Sequence, residues 1–261
     1  MTGRPQRLVF GTVAEAYDEH RPGYPDAVLD LFAERARAGE RGAPSVLDIG
    51  AGTGRVATAL ADRGLGGVAV EPDPAMAGIA RRRLPPVTWE VVVAEFESVS
   101  IPGARTFDLA TCGQAWHWID ADRGLARAHA LLVPGGWLAL FWKRPEWPDR
   151  DVRAALDDVY ARLAPDMQSS MASPEHGHKG VVPTVDPPPA GFAEAAVVEF
   201  HHTIRYSSQQ WVDLLGTHSN HVQLDAAHRA ELHAAVAGVI DAHGGGMEVR
   251  YRTECWTARR I

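Results

Sequence analysis

Val46-Leu47-Asp48-Ile49-Gly50-Ala51-Gly52-Thr53-Gly54 decides the fold. A largely apolar run enters a turn of alternating glycines, and from Arg55 a helical pattern follows with Val56, Ala59 and Leu60 on one face. A strand that turns through glycines into a helix lets a ligand reach bare backbone, because no Cβ stands in the way. Glu71 closes the next apolar run, residues 67–70. It lies at roughly the 20-residue offset where a carboxylate meets the hydroxyl pair of a ribose. The spacing is G-x-G-x-G, whereas dinucleotide sites use G-x-G-x-x-G, whose last glycine lets the helix pack close beside a pyrophosphate. A cofactor without phosphate does not need that glycine. A plain tight turn would explain the glycines alone, but not Asp48 before them and Glu71 after them in register.

Outward from this stretch the pattern keeps alternating. Pro74 suits the first turn of a helix running through Arg81-Arg82-Arg83, whose charges complement a solvated helix end. Strands are predicted at 88–93 and 107–111. Asp120 caps a helix with Leu125, Ala128, Leu131 and Leu132 at helical spacing, and the breaker Pro134-Gly135-Gly136 leads to a strand at 137–142. Such alternation reads as βαβ units on a parallel sheet. Residues 143–191 are proline-rich, with one helix predicted at 150–163, and are too long for a plain loop. They are read as a cap over the site. A strand at 196–205, a helix at 208–215, a helix from Asp225 to the Gly244-Gly245-Gly246 stop, and a strand at 247–258 complete the pattern. The chain thus divides into a core at 1–142, a cap at 143–191 and the rest of the core at 192–261.

Composition narrows the function. The 261 residues are 46% hydrophobic and 23% charged, an ordinary globular balance, and the net charge of −7 argues against a surface built for phosphate backbones. No apolar signal-peptide core follows residues 1–7. The longest apolar stretch, 130–142, is interrupted by Pro134-Gly135-Gly136 and is too short for a bilayer. Cys112 and Cys255 fit no metal spacing and suit a reduced interior. His176-Gly177-His178 and His201-His202 lack carboxylate or cysteine partners at ligand spacing, so no metal is expected. The expectation is a cytoplasmic protein with a small-molecule substrate and no nucleic-acid or membrane partner; its oligomeric state is not legible.

Taken together, these motifs resemble the class I S-adenosylmethionine-dependent methyltransferases. Val93-Ala94-Glu95 looks like that family's adenine-contacting turn, with Val93 where many members carry an acidic residue. Gln114-Ala115-Trp116-His117-Trp118 and Leu132-Val133-Pro134-Gly135-Gly136 also look like its signatures. The segment from Phe10 to Pro25, with Tyr17, Arg21, Pro22, Gly23 and Tyr24, resembles the closing helix of the branch related to trans-aconitate methyltransferase, as does Leu214-Leu215-Gly216-Thr217-His218-Ser219. The likeness covers most of the chain apart from 143–191.

The resemblance implies a Rossmann-like α/β fold: a seven-stranded, mostly parallel sheet in the order 3-2-1-4-5-7-6, its last strand antiparallel, with helices on both faces. It implies S-adenosylmethionine as cofactor and S-adenosylhomocysteine as product. Asp48, Gly50, Ala51, Gly52, Glu71, Pro72, Ala94, Glu95 and Gln114 would contact the cofactor, with Glu71 on the ribose. Arg21 would grip the methionine carboxylate, or else is a surface arginine before a turn. Tyr17 and Tyr24 would shield the sulfonium, or else pack a helix. Trp116, Trp118, Trp142, Thr217 and His218 would line the substrate space, with Trp116 and Trp118 pointing opposite ways.

Methyl transfer is an in-line displacement that chiefly needs alignment and exclusion of water. A base is required only when the acceptor must lose a proton, and His117, just past strand four, is the candidate, against a plain pocket-lining role. Asp186-Pro187-Pro188-Pro189 is similar to the motif of enzymes that methylate base or amide nitrogens. That motif belongs directly after strand four, where this chain has Cys112-Gly113-Gln114. Three other readings compete: a nicotinamide-dependent oxidoreductase, an RNA or protein methyltransferase, and a non-catalytic cofactor-binding domain. The acceptor atom, oxygen, nitrogen or carbon, is not legible.

Overall fold

The glycine-rich stretch folds as its pattern dictates, into β1 (Ser45–Ile49), a turn, and α3 (Arg55–Ala61). The computed structural model describes residues 10–39, 42–101, 103, 105–146, 149–167 and 183–261. Before β1 stand a short 3-10 turn (Phe10–Val13), α1 (Ala14–His20) and α2 (Asp26–Arg37). After α3 come β2 (Gly66–Glu71), α4 (Pro74–Arg83), β3 (Trp89–Val93), β4 (Phe107–Gly113), α5 (Ala121–Leu131) and β5 (Leu132–Glu146). The remainder is α6 (Arg150–Leu163), β6 (Phe192–Ser207), α7 (Ser208–Leu215), α8 (Ser219–Val222), α9 (Ala226–Ala242) and β7 (Gly246–Arg260).

The seven strands form one sheet in the order β3-β2-β1-β4-β5-β7-β6, the Rossmann-like order expected, with β7 antiparallel. β1 pairs in parallel with β2 and β4, so Asp48 stands beside Ala69 on one side and Thr111 on the other. Successive β1 residues serve opposite faces. Leu47 and Ile49 join one apolar cluster with Val68, Val70 and Phe107, while Val46 joins another with Phe32, Ala57, Ala69 and Leu109. A strand covered on both faces must be apolar almost throughout, which explains the continuous run in the sequence.

Two expectations need correction. Strand five is longer than residues 137–142, because Pro134-Gly135-Gly136 does not break it. Leu132 pairs with Phe107 and Trp137 with Leu109, so four residues bulge out opposite Asp108, and Gly135 takes φ +81° within the bulge. The segment 10–25 is not one helix, since it turns at Pro22-Gly23 and α2 follows as a separate element. Val28, Leu29, Phe32, Ala33 and Ala36 of α2 are buried.

Contacts group the described residues into two units. The larger takes in 23–143, 180–200 and 253–261; the smaller takes in those within 1–22, 144–179 and 201–252. The smaller has its own core, with Leu156 and Tyr160 of α6, Trp211 of α7, and Leu232, Val236 and Ile240 of α9. Its helices start where caps allow: Asp149 accepts from the Asp151 and Val152 amides, Ser207 and Gln210 form a capping box, and Asp225 accepts from the Ala227 and His228 amides. No helix among the described residues is long and apolar enough to cross a membrane.

Candidate cofactor site

All three glycines of the loop have left-handed backbone, with φ +63° at Gly50, +59° at Gly52 and +79° at Gly54. A Cβ on Gly50 would stand 2.5 Å from the Ala115 Cβ, so the loop and the turn after β4 lie in contact at the carboxyl edge of the sheet. A Cβ on Gly54 would meet the Ala80 Cβ at 3.0 Å, which lets α3 start close against α4. Ala51 donates its amide to the Val70 carbonyl at 3.0 Å, tying the loop to the end of β2.

Glu71 ends β2 facing this loop. Its Oε2 accepts from the Gly52 amide at 2.9 Å and its Oε1 from the Asp73 amide at 2.8 Å. Burial pushes its carboxyl up to about 7, against the lowering pull of those two amides. Pro72 follows, and Asp73 caps α4 by accepting from the Ala75 and Met76 amides. Asp48 is buried beneath the loop, where its Oδ1 accepts from the Thr111 hydroxyl at 2.9 Å. Burial also raises Asp48 to about 7, and Glu71 adds like-charge repulsion. Two carboxyls poised near neutrality beside a bare glycine loop can bind hydroxyl donors and a positive charge.

The neighbouring turns complete that edge. Ala94 donates its amide to the Glu71 carbonyl at 3.3 Å, and Glu95 beside it is exposed. Gln114 adopts φ +57°, unusual for a residue with a Cβ, and is held by two bonds. Its amide donates to the Phe141 carbonyl and its Nε2 to the Lys143 carbonyl, both at 2.9 Å. Such backbone strain concentrates at functional edges. Tyr24 lies edge-on to Phe141 at 4.9 Å, and its hydroxyl sits 3.1 Å from where a Cβ on Gly113 would be.

Residues 47–140 match the family described as "Methyltransferase domain". This segment carries a methyltransferase domain. An uncharacterized methyltransferase of Mycobacterium tuberculosis is 39% identical over 140 residues, covering 53% of this chain and 54% of that protein. A malonyl-[acyl-carrier protein] O-methyltransferase of Pseudescherichia vulneris is 31% identical over 137 residues, covering 52% of each. The chain thus spans about half the length of the curated relatives it matches. A putative type II methyltransferase from Anaeromyxobacter dehalogenans has a similar structure, with TM-score 0.62, 26% identity, and coverage of 92% of this chain and 97% of that one. The sheet and helices have the class I S-adenosylmethionine-dependent methyltransferase architecture.

Within the methyltransferase domain, Trp116, His117 and Trp118 form a 3-10 turn after β4. Trp116 is fully buried, its ring against Gly124 of α5, where a Cβ would meet Trp116 Cη2 at 2.9 Å. His117 and Trp118 keep some surface, their rings 4.6 Å apart. Trp142 is also fully buried in the core. Both rings are part of the apolar core, which corrects the lining role expected of Trp116 and Trp142. Trp118 remains available for that role.

The other predicted residues belong to the smaller unit. Arg21 Nε donates to the Thr217 hydroxyl at 2.8 Å and Nη2 to the Thr217 carbonyl at 3.1 Å, with its Cζ 5.0 Å from the Tyr17 ring centroid. His218 is held well below the usual histidine range by burial, then by facing Arg21 and His221. Sequence reasoning missed Lys143 because strand five was ended at 142, four residues too early. Its Nζ donates to the Gly23 carbonyl at 2.9 Å and lies 4.8 Å from the Tyr24 ring centroid. It also missed the chain from Tyr160 Oη to His221 Nε2 (3.1 Å) and from His221 Nδ1 to His233 Nε2 (3.0 Å). Among the described residues no group of three His, Cys, Asp or Glu side chains is placed to hold a metal. His201 lies 3.8 Å from Glu146, His202 stacks on Tyr251, and 176–178 fall outside the described residues.

Proposed function

We propose that this protein transfers a methyl group from S-adenosylmethionine to a small-molecule acceptor. The observation that carries the reading is Glu71, a buried carboxylate aimed at a left-handed G-x-G-x-G loop with Asp48 beneath it. Each carboxylate oxygen has one amide bond and a second lone pair, so Glu71 can still accept from both ribose hydroxyls. The residues therefore fit the cofactor, which when bound supplies a methyl group already activated on a sulfonium.

In this reading Gly50, Ala51 and Gly52 pass beneath the methionine part, Pro72 shapes the ribose end, and Ala94 and Glu95 meet the adenine. Gln114 and Tyr24 border the methyl group. Trp118 lines the acceptor's surroundings; this role and those expected of Tyr17, Arg21, Thr217 and His218 rest on the family resemblance. His117 holds or accepts a proton at its ring nitrogen when the acceptor is a hydroxyl. A relative named as acting on malonyl-[acyl-carrier protein] makes a carboxylate oxygen one acceptor chemistry to include.

The test is incubation with methyl-labelled cofactor and a metabolite panel, following label into product by mass, beside calorimetry of Glu71→Ala. Losing the charge-assisted pair should weaken S-adenosylmethionine and S-adenosylhomocysteine alike, by roughly 2–4 kcal/mol. Wild-type affinity in that variant, or tight binding of NAD by the unmutated protein, overturns the assignment.

A further inference from the structure

At the edge of the sheet opposite the glycine loop, the amino ends of β4 and β5 and the last residues of β7 frame a cleft of about 600 Å³. It lies wholly in the larger unit. Arg35 from α2, Asp108 at the start of β4, Gly135 and Gly136 in the β5 bulge, and Arg259 and Arg260 line it. Methyl transfer uses none of them.

Three charged atoms around this cleft are buried with no hydrogen-bond partner among the described residues: Arg35 Nε, Asp108 Oδ1 and Arg260 Nε. The rest of each side chain is anchored. The Arg35 guanidinium lies 4.0 Å over the Trp137 ring, Asp108 Oδ2 accepts from the Ser45 amide at 2.8 Å, and Arg260 Nη1 donates to the Leu132 carbonyl. Arg259 is held at the rim by Glu194 at 2.9 Å. The glycines leave room: a Cβ on Gly135 would crowd Arg259 Nη2 at 3.4 Å, and one on Gly136 would stand 3.0–3.1 Å from three carbonyl oxygens. Buried ionic atoms seldom stay unsatisfied, because each leaves a desolvation cost uncompensated. Two donors and one acceptor around a single cleft describe the ligand that would satisfy them.

We propose that this cleft is a second ligand site, separate from the cofactor loop, for a small oxyanion that carries a neighbouring hydroxyl or ammonium donor. The oxyanion, phosphate or carboxylate, meets Arg35, Arg259 and Arg260, whose charge is opposite in sign to the chain's net −7. The donor meets Asp108 Oδ1. Asp108 repels a plain anion, so the adjacent donor sets the specificity.

Calorimetry on the full chain tests this with glycerol phosphate, malate and sulfate. One of the two hydroxylated probes should bind saturably at up to about 10 mM, and sulfate at least tenfold more weakly. Glycerol phosphate against malate separates a phosphate ligand from a carboxylate one. Arg259→Gln and Arg35→Gln should each weaken the preferred probe roughly tenfold, and Asp108→Asn should erase the preference over sulfate. Unchanged S-adenosylhomocysteine affinity reports intact folding in each variant, and Arg259, being exposed, provides a variant that leaves the core alone. Sulfate binding as tightly as the hydroxylated probes, no saturable binding of any probe, or full binding by the two arginine variants overturns the proposal.

Discussion

Lowering the pH should loosen S-adenosylhomocysteine from this protein, through Glu71. In the unliganded protein burial holds its carboxyl at about 7, so at neutral pH it is half protonated. A ribose diol donates two hydrogen bonds, and the Gly52 and Asp73 amides already donate one to each oxygen. Only the ionised carboxylate can accept all four; the protonated form carries a donor where the diol needs an acceptor. Binding therefore selects the ionised form and expels a proton wherever the free site holds one.

With a free-state value of about 7, Glu71 is roughly nine-tenths ionised at pH 8 and one-tenth at pH 6. Affinity should fall about tenfold between these pH values, or about 1.4 kcal/mol. If Asp48, also near 7, must ionise as well, the fall steepens toward a hundredfold. S-Adenosylhomocysteine is the better probe, because its neutral sulfur leaves the ribose contact as the source of the effect. Calorimetry from pH 5.5 to 8.5, in buffers of different ionisation enthalpy, reads both affinity and proton release. Close to one proton should leave per ligand at pH 6 and almost none at pH 8. Glu71→Gln should bind weakly and lose its share of the slope. An affinity flat between pH 6 and 8, or a slope unchanged in Glu71→Gln, refutes the reasoning.

Four other outcomes are expected. Gly50→Ala should cost roughly 2–4 kcal/mol in urea melts, from left-handed backbone plus the clash with Ala115. Ala115→Gly in that background should relieve only the clash, so complete rescue would refute the backbone requirement. His117→Ala should cut turnover by about 10²–10⁴-fold with cofactor affinity unchanged if the acceptor is a hydroxyl; near-normal turnover on such an acceptor makes His117 a pocket wall. Asp48, raised from 3.8 to about 7 in the fold, contributes stability at low pH that is lost as pH rises through 7, by up to roughly 4 kcal/mol. Asp48→Asn should flatten that part of the curve, and identical pH slopes in denaturant melts would exclude it. His221 has the opposite sign: burial, with His233 and Arg229 facing it, lowers it to about 3, so stability present above pH 6.5 drains as pH falls. Hydrogen-exchange protection factors in α6 and α9 should fall between pH 6.5 and 4.5, less so in His221→Gln, and an equal fall in both would count against it.

The sequence exposed the parts of the fold that local chemistry decides. The glycine loop, Pro74 opening α4, the Asp120 and Asp225 caps and the stop at Gly244-Gly245 are each written within a few neighbouring residues. What it concealed was decided by distant partners. Pro134-Gly135-Gly136 carries every local sign of a break, yet pairing of β5 with β4 on both sides of the bulge keeps the strand going, and Lys143 was hidden with the strand's true end. Tyr160, His221 and His233 come from three helices, so no spacing could announce their chain. α2 was an avoidable miss, since Val28, Leu29, Phe32, Ala33 and Ala36 carry the helical period.

The electrostatics of the loop argue for one cofactor chemistry over another independently of any motif. Asp48 and Glu71 are buried, feel each other's charge, and both sit near 7. A pyrophosphate brought to this loop would add negative charge beside them, raising both further and charging the ligand for every proton it forced on. A sulfonium does the reverse: its positive charge lowers both carboxyls and gains from their ionisation. The same pair that makes the empty loop costly to ionise therefore makes a cationic nucleoside welcome and a dinucleotide unwelcome. The size of the pH effect separates these cases, because a sulfonium adds to the proton release that the ribose diol demands and a pyrophosphate opposes it.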